Sequence, residues 1–275
     1  MEWHRIVAIF RSFVVESVCS MLFVLIGCGS TITWPQKETS PSILSVSLCF
    51  GFSCTFLLNI STCLSGGFFN PALTAALAAN KTLSAKKALC YIAAHLIGAI
   101  IGAGLLYVIV PYENHGLLGV VQVTPVSPLV GFGVELLMTL ALTLTALSCT
   151  EGGQTTVDHP ASIVIGLVVT ACHLFEVYPV TGCGINPARA FGPAVVANRW
   201  TNHWVYWFGP IIGALLATGI HHLANNFPVT TADELVITEQ ELNDRAEPDK
   251  KEDTGQTPRK YNIQTQTPYE LKTTV

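Results

Sequence analysis

The sequence predicts an all-α membrane protein: six transmembrane helices plus two re-entrant half-helices, arranged as inverted three-span repeats. Three observations carry this. Half of the 275 residues are hydrophobic and only 12% are charged, about half the charge fraction of a soluble domain. Six stretches are long and apolar enough to cross a bilayer, which takes ~20 residues. Two glycine-rich stretches, 65–72 (Ser-Gly-Gly-Phe-Phe-Asn-Pro-Ala) and 181–189 (Thr-Gly-Cys-Gly-Ile-Asn-Pro-Ala-Arg), each deliver an Asn-Pro-Ala tripeptide to the start of a helix too short to span.

The predicted spans are approximately 7–33, 43–60, 87–110, 129–149, 162–177 and 204–223. No cleavable signal peptide is expected, because the first eleven residues are mixed and the apolar run after them is long enough to span. The half-helices fall between the second and third spans and between the fifth and sixth. In each, asparagine is a strong N-cap and proline suits the first helical position, where its missing N–H costs nothing. The apolar, helix-compatible runs 73–79 and 190–197 follow.

The chain repeats internally. Phe-Val-Val-Glu-Ser from Phe13 resembles Phe-Gly-Val-Glu-Leu from Phe132, which aligns Glu16 with Glu135. Residues 96–104 match 211–219, and Asn70 matches Asn186 at nearly the same offset. Two three-span halves, about 7–110 and 129–223, explain this. An odd number of spans per half inverts the second, and inverted repeats with broken helices meeting at mid-membrane are a transport architecture. Gly98-x-x-x-Gly102 and Gly209-x-x-x-Gly213 supply small faces for close helix approach.

Charge sets the expected orientation. With both termini cytoplasmic, eleven Lys and Arg lie inside and three (Lys37, Arg189, Arg199) lie outside, as the positive-inside tendency favours. Ten of the eighteen acidic residues fall beyond Asn226. Residues 1–225 are therefore expected to form the channel domain, and 226–275 a largely disordered cytoplasmic tail. Within that tail, 233–246 reads as a short amphipathic helix, Thr257 and Thr267 precede prolines, and the terminal Val275 fits a PDZ-type groove. The nine cysteines form no Cys-x-x-Cys pair and read as small packing residues, except Cys183 in the second loop. No metal, cofactor or nucleic-acid partner is implied, and no nucleophile–base constellation points to an enzyme.

Backbone that is not helical at membrane depth must be buried in protein or line water. The two loops are therefore the candidate pore wall. Carbonyls of Gly66, Gly67, Phe68, Gly182 and Gly184 are expected to line it as acceptors, with the Asn70 and Asn186 side chains as donors at the centre. That pattern suits water in single file. The positive ends of both half-helices oppose cations there. Arg189, an ionisable group in an embedded loop, marks a pathway. Glu16 and Glu135, at equivalent repeat positions, are expected to accept hydrogen bonds from their own half's loop.

Two Asn-Pro-Ala boxes (Asn70, Pro71, Ala72; Asn186, Pro187, Ala188) in inverted repeats, the second followed by arginine, resemble the aquaporin (major intrinsic protein) family over about residues 7–223. The resemblance implies an aquaporin-like fold and a homotetramer with one pore per subunit; a multi-pass protein is expected, with the plasma membrane as its default address. It carries a selectivity filter onto Phe50, His173, Cys183 and Arg189, a set similar to the water-selective branch. Glycerol-conducting relatives have small or apolar replacements at the His173 position and aspartate where this chain has Ala190. Cys183 is then a pore-facing thiol. The implied function is passive, bidirectional water permeation that excludes protons and ions. Two alternatives remain open at this point: another small solute (peroxide, ammonia or an anion), and a low-conductance junctional or scaffold role. The chain departs from the family pattern at Cys63 and Phe68, where histidines are usual, at His95, where glutamine is usual, and in a slightly longer stretch from His173 to Cys183.

Overall fold

In a computed structural model of the chain, residues 2–34, 40–150, 161–176 and 180–226 are described. The tail expectations, from the amphipathic segment to Val275, lie outside them. The described residues form eight α-helices: α1 Glu2–Gly29, α2 Ile43–Ser61, α3 Pro71–Ala79, α4 Ala85–Ile109, α5 Pro128–Thr150, α6 Ala161–Glu176, α7 Pro187–Ala197 and α8 Val205–Asn226. A single 3-10 turn, Tyr112–Asn114, lies in the connection between the halves.

Five helices (α1, α2, α4, α5 and α8) have the length and hydropathy to cross a membrane. The sixth expected span, α6, is apolar but has 16 residues, or about 24 Å of rise. The largest boundary change is at α1, which begins at Glu2 and ends at Gly29 rather than running 7–33. Beyond Gly29 the chain closes through Thr31 N–H to the Cys28 carbonyl and Ile32 N–H to the Gly29 carbonyl.

Helix starts follow local chemistry. Ser42 caps α2 and Ser84 caps α4, each side chain accepting a backbone N–H in the first turn. Asn70 and Asn186 sit at extended φ of −144° and −145° and do the same for α3 and α7, with proline next. Side-chain capping of this kind is worth about 1 kcal/mol per helix.

The main packing pairs are α1 with α4, α5 with α8, and α2 with α6. The first two are equivalent under the repeat, and the third crosses between halves. Glycines make the approaches possible. A Cβ on Gly98 would overlap the Ser17 carbonyl oxygen, and one on Gly213 would overlap that of Leu136. Gly51 and Gly166 face one another across α2 and α6, each with a threonine of the opposite helix (Thr170, Thr55) filling its space. Each half-helix packs on the last span of the other half, α3 on α8 and α7 on α4. That exchange brings the two half-helix N-termini together.

Candidate pore

The two loops are held by matched scaffolds. Glu16, wholly buried on α1, accepts from the Phe68 N–H (3.2 Å), the Phe69 N–H (2.7 Å) and the Ser65 hydroxyl (2.6 Å). Glu135, wholly buried on α5, accepts from the Gly184 N–H (2.7 Å) and the Ile185 N–H (2.6 Å). A buried carboxylate needs such donors. Two tyrosines complete the pairing. Tyr91 O–H donates to the Ser65 carbonyl and Tyr206 O–H to the Thr181 carbonyl, both at 2.7 Å. Sequence reasoning missed them, although 206 and 91 differ by the same 115 that separates 211–219 from 96–104. The first scaffold also has His95, whose Nε2 lies 2.8 Å from Glu16 Oε2. Gly184 is needed for space: a Cβ there would press on the Tyr206 ring and both Glu135 oxygens.

The asparagines are cross-tied. Asn70 Nδ2 donates to the Ile185 carbonyl at 3.0 Å, and Asn186 Nδ2 to the Phe69 carbonyl at 2.9 Å. Their Oδ1 atoms accept from Ala72 N–H and from Ala188 and Arg189 N–H. An amide nitrogen carries two hydrogens, so each asparagine retains one donor. Both residues line a cavity of about 100 Å³. Its walls are otherwise mainly apolar (Phe23, Leu73, Leu142, Ile165, Val169), and Gly66, Gly67 and Phe68 edge it. Phe68 is half-buried and tilts against Tyr91 at 5.8 Å.

A second cavity, of about 600 Å³, lies under the connection between the halves, with Arg189, Gly182 and Gly119 in its wall. The two cavities share no lining residue. The four filter residues are each at most 2% exposed. The Phe50 and His173 rings stack at 4.2 Å, and the Arg189 guanidinium sits 4.9 Å over the Phe50 ring. Two polar atoms of this layer, His173 Nε2 and Arg189 Nε, are buried without a protein partner. Arg189 Nη1 donates to the Gly119 carbonyl at 2.7 Å, a partner that a sequence scan for motifs does not reveal.

Of the filter residues only Arg189 lines a cavity; Phe50 and His173 line neither, and two further placements differ from expectation. Cys183, expected as a pore-facing thiol, is fully covered and lines neither cavity; its side chain lies beside the Glu176 carboxyl. The cause is the loop geometry, with Cys183 at φ +57° and its N–H bound to Thr181 Oγ1 at 3.2 Å. Gly184 lines neither cavity, and its N–H is committed to Glu135. Glu176 itself, wholly buried at the end of α6 with Oε1 unpartnered, was legible only as an acidic residue closing an apolar run. Among the described residues no cluster of three or more His, Cys, Asp or Glu is placed to hold a metal.

Six apolar helices in two crossed halves, with two half-helices meeting tip to tip, define a multi-pass integral membrane protein of the channel type. The family model for the major intrinsic protein matches residues 2–221, and the chain belongs to that family. It is 41% identical over 214 residues to aquaporin-4 of Bos taurus, covering 77% of this chain and 66% of that one. It is 42% identical over 213 residues to aquaporin-5 of Mus musculus, covering 77% of this chain and 79% of that one. The chain thus spans about two thirds of the length of the aquaporin-4 relative. Among solved structures it resembles the aquaglyceroporin from Plasmodium falciparum, with a TM-score of 0.69, 23% identity, and coverage of 78% of this chain and 95% of that one. At that identity the likeness speaks for the fold alone.

Proposed function

We propose that this chain is a water channel giving passive, bidirectional osmotic permeation while excluding protons and ions. The observation that carries the reading is the set of buried donors and acceptors left over after the protein has satisfied its own backbone. Among these are one N–H on each of Asn70 and Asn186, then His173 Nε2 and Arg189 Nε in the filter layer. Buried polar atoms cost free energy unless hydrogen-bonded, and water in single file satisfies both kinds. The relatives' names, aquaporin-4 and aquaporin-5, support the same reading.

Proton exclusion follows from the same geometry. A water at the asparagines accepts from both side chains and faces the positive ends of α3 and α7. Its own hydrogens then point away on both sides, which breaks a proton wire. Phe50 and His173 leave little apolar room for a carbon chain, and Arg189 repels cations.

Stopped-flow osmotic swelling of proteoliposomes tests this, with a pH dye reporting proton entry. Fast swelling without acidification is expected; swelling no faster than in empty vesicles overturns the reading. A second reading, a low-conductance channel with a junctional or scaffold role, is favoured by the closely packed filter layer and by Phe68 at the first cavity. The same assay separates them. The working assembly we propose is a homotetramer in the plasma membrane, with both termini cytoplasmic and the C-terminal valine open to a PDZ-type partner. Cross-linking and surface labelling of tagged termini test it.

A further inference from the structure

We propose that Cys28 is a positioning residue for the filter arginine, setting through Gly119 where the Arg189 guanidinium stands and hence which solutes pass. The inference rests on the filter reading above. Cys28 lies in the last turn of α1, is wholly buried, and is 161 residues from Arg189 in the chain. Three groups form a triangle there. Arg189 Nη1 donates to Cys28 Sγ at 3.6 Å and to the Gly119 carbonyl at 2.7 Å, while the Cys28 thiol donates to the same carbonyl at 3.9 Å.

Gly119 lies directly on the cysteine. A Cβ at Gly119 would overlap the Cys28 Cβ, and the residue's φ of +74° is one that glycine adopts freely. The Cys28 side chain, Cβ and Sγ together, therefore sets how deep the connecting segment rests, and so where the carbonyl that holds the arginine is found. On its other side the guanidinium is bounded by the Phe50 ring at 4.9 Å. With two faces fixed, the unpartnered Nε and the guanidinium edge have one place to stand at the mouth of the second cavity. Removing Sγ opens the Cys28 side of that clamp. The other buried thiols off the loops, such as Cys54, have no contact of this kind with the filter among the described hydrogen bonds; a packing role alone predicts the same for Cys28.

The test uses the full chain reconstituted as wild type, Cys28→Ala, Cys28→Ser, Arg189→Val and the Cys28→Ala/Arg189→Val double variant. Water permeability and urea uptake are measured on each. Cys28→Ala should raise the urea-to-water ratio severalfold, and Cys28→Ser, which keeps a donor and acceptor at that place, should restore the wild-type ratio. In the Arg189→Val background Cys28→Ala should add nothing, because its effect runs through the arginine. A structure of Cys28→Ala should show the guanidinium displaced from the Gly119 carbonyl. An unchanged ratio, or a guanidinium still on Gly119, overturns the proposal; a packing role would lower thermal stability and leave the ratio alone. Wild-type vesicles that fail to swell would sink the water reading instead, and the arginine's place in Cys28→Ala would still decide this one.

Discussion

Asn70 and Asn186 bind each other's loops: each side-chain nitrogen donates to a carbonyl beside the other asparagine, Ile185 at 3.0 Å and Phe69 at 2.9 Å. The two half-helices are thereby fixed tip to tip without a bond between the asparagines themselves. Replacing Asn186 with Asp keeps the cap on α7. It removes the donor to Phe69 and puts a negative charge where the helix ends repel cations. Asn186→Asp vesicles should leak protons under an imposed pH gradient while wild type does not, as read by an internal pH dye.

The helix crossings depend on particular glycines. Gly98→Ala and Gly213→Ala each drive a methyl into a backbone carbonyl of the neighbouring helix, an overpacking cost of about 1–3 kcal/mol. Gly104 and Gly219 meet nothing within 4 Å, so alanine there should be neutral or stabilising by up to ~1 kcal/mol through helix propensity. Thermal unfolding in detergent checks both pairs; equal shifts for all four would refute the packing account.

The tyrosine pair offers a test of the repeat. Tyr91→Phe and Tyr206→Phe each strand one buried loop carbonyl, Ser65 or Thr181. Each should cost about 1–3 kcal/mol, and by similar amounts, since the two bonds have the same length and place. A large loss from one and none from the other would mean that the halves are not equivalent in stability.

His95 has no such twin. His95→Gln should preserve stability, because an amide N–H can still donate to Glu16 Oε2; His95→Leu removes that donor and should lower the melting temperature of the reconstituted protein. Identical melting for the two variants would show that the His95–Glu16 contact is dispensable.

At the filter, His173→Ala removes the ring stacked on Phe50 at 4.2 Å. The layer then widens, and urea or glycerol uptake should rise well above that of wild-type vesicles while water still passes. Uptake unchanged from wild type would place the size limit elsewhere.

Much of this protein is determined by its sequence alone, because the controlling physics is local. Apolar length sets the spans. Asparagine followed by proline sets the start of α3 and α7, with no help from the rest of the chain. The matching stretches from Phe13 and Phe132 pair Glu16 with Glu135, and the 115-residue offset of 96–104 from 211–219 would have paired Tyr91 with Tyr206. The tertiary structure alone decided what meets what across the chain. Cys28, Gly119 and Arg189 are separated by 91 and 70 residues and join only when the linking segment folds back over α1. Cys183 turns from the expected pore face to lie beside Glu176, because its left-handed backbone aims the side chain that way. A motif names residues and their caps. Where a side chain points depends on long-range packing and backbone sign, which no short stretch encodes.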